Sequence, residues 1–106
     1  MDEGVKRAEA IARDYVNELK KHINVDKAVI YGSYAKGTYN RYSDLDIAIF
    51  SKNFNNKKSV DVTTFLLSFA RKYKEICIEP VGFSDADLAD DNPFIKEIIN
   101  TGKDIL

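Results

Sequence analysis

Several residue types are scarce in this sequence. Its 106 residues include one cysteine, one histidine, two prolines and no tryptophan. A single cysteine excludes an internal disulfide, and without a second cysteine or a histidine cluster the chain offers no zinc-ligand set. Because Cys77 lies in an apolar run, we expect it to be a core residue and not a nucleophile, in a protein of a reducing compartment.

Neither sign of charge is in excess, with 16 basic and 17 acidic residues. A net charge of -1 gives no global attraction to nucleic acid or to an anionic membrane. No apolar run approaches the length of a membrane span, and the first ten residues, MDEGVKRAEA, are charged where a signal peptide is apolar. The sequence therefore predicts a cytoplasmic protein that requires neither membrane nor nucleic acid and binds any phosphate ligand locally.

The bulk composition is that of one folded domain. Hydrophobic residues make up 44% of the chain and charged residues 31%, with no long biased stretch and no internal repeat. A chain of this length can build a single core but cannot hold a catalytic domain and a separate substrate domain. We expect residues 1–106 to form one domain.

Two amphipathic helices are predicted from apolar residues at three- and four-residue spacing. The first should span about residues 3–23, and the second covers the middle of the chain. Their apolar stripes consist of Ala8, Ile11, Ala12, Tyr15, Leu19 and Ile23 in the first helix, and of Val62, Phe65, Leu66, Phe69 and Tyr73 in the second. A last helix should begin near Pro93 and end at Gly102.

Three strands are predicted between these helices. Residues 27–31 (KAVIY) form a β-branched apolar run that ends at Gly32, and residues 45–50 (LDIAIF) alternate in polarity. Residues 75–81 (EICIEPV) are the third candidate, and Pro80 should lie at a sheet edge or a bulge because it lacks an N–H. The predicted fold class is α/β, with the strands in one sheet flanked by helices.

Two aspartates on the second predicted strand point to metal chemistry. Strand side chains alternate, so Asp44 and Asp46 share one face while Leu45 and Ile47 face the core. Two carboxylates this close repel each other and raise each other's pKa unless cations occupy the site. Magnesium fits, because it is a hard ion that binds carboxylate and phosphate oxygens.

Gly32 and Ser33 precede the aspartates and suit a phosphate. The glycine allows close approach to the backbone, and a short helix after it would offer free N–H groups. Glu79, on the third predicted strand, can reach the same patch if that strand pairs beside the second. Lys36 and Arg41 are candidates for contacts with a triphosphate, although loop cations are more often only solvated.

The residues Gly32-Ser33 and, after ten residues, Asp44-Leu45-Asp46 resemble the signature of the DNA polymerase beta-like nucleotidyltransferase superfamily. Residues 32–37 (GSYAKG) and 43–46 (SDLD), with the ending 94–106 (FIKEIINTGKDIL), look like its minimal nucleotidyltransferase branch. The resemblance implies a nucleotidyltransferase fold with a mixed sheet of three to four strands. It also implies that Asp44 and Asp46 bind two Mg²⁺ ions, with Glu79 as our candidate for the third carboxylate.

The same resemblance implies an activity and a partner. The chain would transfer a nucleoside monophosphate, most often AMP from ATP, to a tyrosine hydroxyl of a HEPN-type toxin, for which it would be the antitoxin. Gly32, Ser33 and Lys36 would contact the nucleotide. The family more often has aspartate at the position of Glu79, so a second hypothesis is an antitoxin that neutralises its partner by contact alone. A homo-oligomer is compatible with either.

Several simpler interpretations compete with these. Residues 43–46 also fit a helix capping box, with Ser43 as N-cap and Asp46 three residues later. Glu79 could be an exposed charge on an edge strand that discourages aggregation. Asp85 and Asp87 are reserve candidates for the third carboxylate, but they lie in a polar segment without strand alternation.

Overall fold

The computed structural model describes residues 2–106, which fold as helices on both faces of one sheet. The helices are α1 (Glu3–Lys20), α2 (Ser33–Lys36), α3 (Ser59–Ala70), α4 (Asp85–Ala89) and α5 (Pro93–Thr101). The strands are β1 (Lys27–Tyr31), β2 (Leu45–Phe50), β3 (Ile78–Phe83) and β4 (Lys103–Asp104), with a 3-10 turn at Lys52–Phe54. The predicted fold class, a mixed sheet of three to four strands flanked by helices, is confirmed.

The sheet has the strand order β3-β2-β1-β4 and is mixed. Strand β1 pairs antiparallel with β2 and with β4, whereas β2 and β3 are parallel. A parallel pair needs a crossover connection, which α3 supplies between β2 and β3. This crossover places β3 beside β2, the neighbour that the Glu79 hypothesis requires.

The two faces of the sheet have separate cores. One face packs against α1 and α3, and its fully buried residues include Leu45, Ile47 and Ile49. Tyr15 of α1 connects the two helices, because its buried hydroxyl donates a hydrogen bond of 2.8 Å to the backbone oxygen of Leu66 in α3. The other face packs against α5 through the residues Val29, Ala48, Phe50, Ile95 and Ile98.

Two predicted boundaries were wrong. Helix α1 ends at Lys20, not near residue 23, yet Ile23 still packs on the core because its N–H bonds to the oxygen of Leu19 in a closing turn. Strand β3 covers Ile78–Phe83, not residues 75–81. Its extent follows β2, since the parallel pairing runs from Leu45 to Phe50 on that strand.

Other expectations at the ends of elements are confirmed. Pro80 lies on β3, which is an edge strand of the sheet. An edge strand tolerates a residue without an N–H, because one side of the strand has no neighbour to bond. Pro93 begins α5, Asn92 caps that helix through its side-chain oxygen, and Gly102 ends it. None of the helices in residues 2–106 is long and apolar enough to cross a membrane.

Candidate active site

The site begins at a backbone turn that only glycine accommodates. Gly32 has φ 73° and ψ -148°, a region that L side chains rarely adopt. A Cβ at this position would lie 2.3 Å from Oδ2 of Asp46. Asp46 therefore lies directly against the glycine backbone, so the two halves of the sequence motif meet in space.

The turn leads into α2, which occupies one helical turn. The N–H groups of Ala35 and Lys36 donate to the oxygen of Gly32, at 3.1 and 3.0 Å. Ser33 and Tyr34 precede them, where a helix leaves its N–H groups without an intrahelical acceptor. Lys36 is exposed at the far end of this turn, and Gly37 follows in the left-handed conformation.

Asp46 is the middle member of a row across three strands. It is paired with Tyr31 of β1 on one side and with Glu79 of β3 on the other. Directly paired residues of neighbouring strands project from the same face, which here is the face that carries α5. The structure thus places Asp46 and Glu79 side by side and excludes the capping-box interpretation, because Asp46 is a strand residue.

Asp44 lies just before β2 and completes a group of three neighbouring carboxylates. A hydrogen bond to Asp44, followed by the charge of that residue, raises the pKa of Glu79. Burial, followed by the charge of Asp44, raises the pKa of Asp46. The charge of Asp44 therefore opposes ionisation of both neighbouring acids, in addition to the hydrogen bond and the burial.

Tyr31 closes the row on the side of β1. Burial raises its pKa to about 12, and the charges of Asp46 and Glu79 act in the same direction. Its ring meets that of Phe94 edge-on at 6.0 Å between centroids. The sequence alone does not show that Tyr31 faces the carboxylates, because this placement depends on the strand register.

The expectation that Cys77 is a core residue was wrong, because its side chain is exposed. Partial desolvation of its sulfur, followed by the charge of Asp44 and a hydrogen bond to that residue, raises the pKa of the thiol. The alternation of Ile76 and Ile78 with Cys77 and Glu79 was the available signal. In the apolar run, the isoleucines turn inward and the other two residues do not.

Asp85 and Asp87, the reserve candidates, lie in the first turn of α4. Asp87 forms a reciprocal capping box with Ser84, in which each side chain accepts from the other residue's backbone N–H. Asp85 is exposed. The capping role accounts for Asp87 without a catalytic function.

The carboxylate group has the donor atoms of a divalent-cation site but not its preformed geometry. Within residues 2–106, no three His, Cys, Asp or Glu side chains already have the spacing needed to hold one metal ion. The donor chemistry does fit, because the group consists of carboxylate oxygens, and the charge of Asp44 contributes, after burial for Asp46 and after a hydrogen bond for Glu79, to raising the pKa of each of these two acids. A hard cation would relieve this repulsion.

One prediction follows for stability. The pKa of Asp46 is higher in the folded state than in the unfolded state. The free energy of unfolding therefore falls as the pH rises from the unfolded pKa to the folded pKa, and it stays lower at higher pH. Asp46→Asn removes the charge and should raise the free energy of unfolding at pH 7 by a few tenths of a kcal/mol, the usual range for solvent-screened charge pairs. Urea denaturation at pH 7 in EDTA measures this change.

At about pH 3 the wild-type Asp46 is largely protonated and the variant side chain is neutral, so the two free energies of unfolding should differ less than at pH 7. Added Mg²⁺ should stabilise the wild-type protein more than the Asp46→Asn variant. A variant that is less stable than wild type at pH 7 in EDTA would contradict the repulsion between Asp44 and Asp46.

A cleft borders the carboxylate group on the side of α1. It has a volume of about 430 Å³, and Asp44 and Cys77 form part of its wall. Three basic side chains, those of Arg7, Arg41 and Lys74, also line it. We call this space the basic cleft. Sequence reasoning did not identify it, because its walls come from α1, the loop before β2 and the segment before β3.

Comparisons with known proteins show the family to which this chain is similar. The family model described as polymerase beta, nucleotidyltransferase matches residues 14–106. Two candidate protein adenylyltransferases of Methanocaldococcus jannaschii are similar in sequence. The chain is 27% identical to MJ0141, covering 87% of this chain and 96% of that protein. It is 30% identical to MJ1305, covering 100% of this chain and 74% of that protein.

Solved structures share the fold. A candidate nucleotidyltransferase from Sulfolobus solfataricus has a TM-score of 0.62 at 18% identity, covering 84% of this chain and 81% of that chain. A toxin-antitoxin structure with AMP-PNP has a TM-score of 0.55 at 21% identity, covering 88% of this chain and 71% of that chain. At these identities the likeness extends to the fold alone.

Proposed function

Since the chain belongs to the polymerase beta nucleotidyltransferase family, we propose that it is a magnesium-dependent enzyme that transfers AMP from ATP to a protein hydroxyl. The acceptor in this proposal is a tyrosine of a HEPN-type toxin, for which the chain acts as antitoxin in the cytoplasm. Both candidate relatives are named as protein adenylyltransferases, which supports a protein acceptor. The toxin and AMP-PNP in a structural neighbour support the partner and the nucleotide.

One observation carries the proposal. Asp46 lies directly against the backbone of Gly32 and in register with Glu79 of the next strand. Because the glycine turn and the carboxylates are in contact, a backbone that can bind phosphate lies beside oxygen ligands for a cation. Neither feature is specific alone, because glycine turns and paired strand acids are each common.

Each residue then has a defined task in the proposed reaction. Asp44, Asp46 and Glu79 would hold magnesium, which supplies charge neutralisation at the phosphates and makes an acceptor hydroxyl more acidic. Ser33 and the first N–H groups of α2 would donate to phosphate oxygens. Lys36, one turn further on, would add positive charge near the triphosphate.

A second candidate function is neutralisation of a partner by contact, without turnover. Apolar side chains near the C-terminal end favour it, because Phe94, Ile99 and Leu106 are 47%, 38% and 52% exposed. Exposed apolar groups of this size are common on protein interfaces. The two candidates predict the same binding but differ in whether a covalent bond forms.

Incubation with α-labelled ATP, Mg²⁺ and the co-purified partner separates these functions. We expect label on a partner tyrosine, with pyrophosphate released in equal amount. Replacement of Mg²⁺ by EDTA should lower transfer by more than about two orders of magnitude, because the metal contributes several kcal/mol of charge stabilisation. Gel autoradiography and peptide mass spectrometry measure the label and its position.

The outcomes are distinct. Transfer that is unchanged in EDTA would contradict the metal role of the carboxylate group. A partner that binds the chain but acquires no label, with Mg²⁺ and ATP present, would favour neutralisation by contact. Label on a partner residue other than tyrosine would support the transferase activity but contradict tyrosine as its acceptor.

A further inference from the structure

The proposed chemistry uses a tyrosine hydroxyl, and the chain itself contains six tyrosines. Three of them have hydroxyls that already donate to an oxygen. Tyr15 donates to a backbone oxygen within the core, and Tyr73 donates to Oδ2 of Asp14 at 2.6 Å. Tyr39 donates to the carboxylate of Asp2. Tyr15 is buried, and Tyr39 and Tyr73 are only partly exposed, so none of the three is as accessible to an approaching nucleotide as an exposed tyrosine.

Two further tyrosines are covered by neighbouring rings. Tyr31 is half-buried and meets the ring of Phe94 edge-on. Tyr34 is half-buried and stacks on Tyr39, with 4.5 Å between the centroids. Neither presents its hydroxyl to an approaching molecule as freely as an exposed side chain would.

Tyr42 differs from all five. Its side chain is 78% exposed, the largest exposure of any large hydrophobic side chain in residues 2–106. It lies two residues before Asp44 and lines the basic cleft together with that residue. Exposure and proximity to the carboxylate group therefore coincide at one tyrosine.

The loop that carries Tyr42 is held by hydrogen bonds to Asn40. The N–H of Tyr42 donates to Oδ1 of Asn40 at 2.8 Å, and the N–H of Ser43 donates to the backbone oxygen of Asn40 at 3.0 Å. In return, the N–H of Asn40 donates to Oγ of Ser43 at 2.9 Å. The tyrosine is therefore displayed from an ordered turn.

The hydroxyl of Tyr42 is also in contact with a cation. Nη2 of Arg41 donates to it at 2.7 Å, and the guanidinium carbon lies 4.9 Å from the centre of the ring. A guanidinium group pairs strongly with phosphate oxygens. Arg41 is thus placed to neutralise a phosphodiester formed on this hydroxyl.

The basic cleft offers space for the group that such a bond would attach. Its volume of about 430 Å³ is within the range of small-ligand sites, and Arg7 and Lys74 add positive charge to its wall. Arg7 pairs only loosely with Glu75, at 3.6 Å between exposed side chains. A nucleotide attached to Tyr42 would therefore lie beside three cations and two carboxylates, those of Asp44 and Glu75, and would not have to displace a buried ion pair.

We propose that Tyr42 is a self-modification site, which receives AMP from ATP bound by a second copy of this chain. The inference depends on the proposed function, since it uses the same reaction. Oη of Tyr42 forms a bond to the α-phosphorus, the bond from that phosphorus to the β-phosphate oxygen breaks, pyrophosphate leaves, and the phenolic proton passes to solvent. The row of Asp46 and Glu79 lies on the face that packs against α5, whereas Tyr42 lines the cleft on the side of α1, which favours transfer between two molecules over transfer within one.

The test uses the purified full chain with ATP and Mg²⁺ and without a partner. Intact mass spectrometry should show the addition of one AMP, and peptide fragmentation should locate it on Tyr42. Tyr42→Phe should reduce incorporation at least about tenfold, because it removes the nucleophile. Tyr39→Phe is the matched control and should retain incorporation, since Tyr39 is only partly exposed and does not line the basic cleft.

Transfer between molecules is tested by mixing two variants. Tyr42→Phe keeps the carboxylate group and lacks the acceptor, whereas Asp46→Asn keeps the acceptor and lacks one carboxylate. We expect AMP on the Asp46→Asn chain only in the mixture. AMP on wild-type Tyr42 with none in the mixture would overturn transfer between copies.

A parallel reaction with the partner distinguishes failure of this inference from failure of the proposed function. A labelled partner with no AMP on Tyr42 would overturn the inference and leave the enzyme intact. No label on the partner and none on the chain would overturn both. Incorporation that persists undiminished in Tyr42→Phe would assign the acceptor to another residue and also overturn the inference.

Discussion

Asp44→Ala combined with Asp46→Ala should reduce AMP transfer by more than about a thousandfold, the scale seen when groups that stabilise transition-state charge are removed. The two side chains provide adjacent oxygen ligands, and Asp46 lies against the phosphate-binding turn. Initial rates of label transfer to the partner measure the loss. Circular dichroism and urea denaturation should show that the variant remains folded, since neither side chain is part of the hydrophobic core.

Asp85→Ala combined with Asp90→Ala is the matched control, because it removes the same charge from two exposed residues in and next to α4. This control should keep transfer within about twofold of wild type, since exposed charges contribute little. Label transfer that survives substitution of Asp44 and Asp46 would contradict the assigned site.

Glu79→Gln tests the third carboxylate in the same assay. It preserves shape and removes the charge that faces Asp44 and Asp46, so we expect a loss of about a hundredfold in transfer. Glu75→Gln, an exposed change in the segment before β3, is its control. Equal rates in both variants would show that Glu79 is only an edge-strand charge, the simpler interpretation of this residue.

Gly32→Ala should have the second large effect, on activity and on stability together. The new Cβ would lie 2.3 Å from Oδ2 of Asp46, so the carboxylate must move away from its place beside the turn. A displacement of about 1 Å at a catalytic group can cost about a hundredfold in rate. The unusual backbone angles, φ 73° and ψ -148°, should also cost about 1–3 kcal/mol of folding free energy.

Gly37→Ala separates the backbone effect from the steric one. Gly37 also has a positive φ, of 77°, but a Cβ there would meet no atom within 4 Å. This variant should lose about 1 kcal/mol of stability and keep its rate of transfer. The kcat of each variant, with its urea midpoint, provides the comparison. If Gly32→Ala and Gly37→Ala lose the same activity, the close approach of Asp46 to Gly32 has no role in the reaction.

Much of the local structure was predictable because it depends on neighbouring residues. The alternation in residues 45–50 correctly predicted β2, with Leu45 and Ile47 buried. Pro93 and Gly102 correctly marked the ends of α5. Each of these signals acts within a few residues, through strand alternation, a missing N–H or a helix end.

Boundaries and exposure were predicted less well, since they depend on distant segments. The apolar period alone cannot show that α1 ends at Lys20, because the turn after it buries Ile23 equally well. The limits of β3 are set by pairing with β2 and with the residue after it, since the N–H of Ser51 donates to the oxygen of Phe83. The apolar run around Cys77 predicted burial, but the edge of the sheet leaves this thiol exposed.

By itself, the sequence determined the family signature, the pairing of Asp44 with Asp46 and the glycine turn at Gly32, since each is fixed by spacing along the chain. Only the tertiary structure decided that the crossover through α3 brings Glu79 beside Asp46 and that Tyr42 shares a cleft with Asp44. The physical reason is that register and cleft walls arise from pairing between segments far apart in sequence. Such pairing is set by hydrogen bonds and packing that no local pattern specifies.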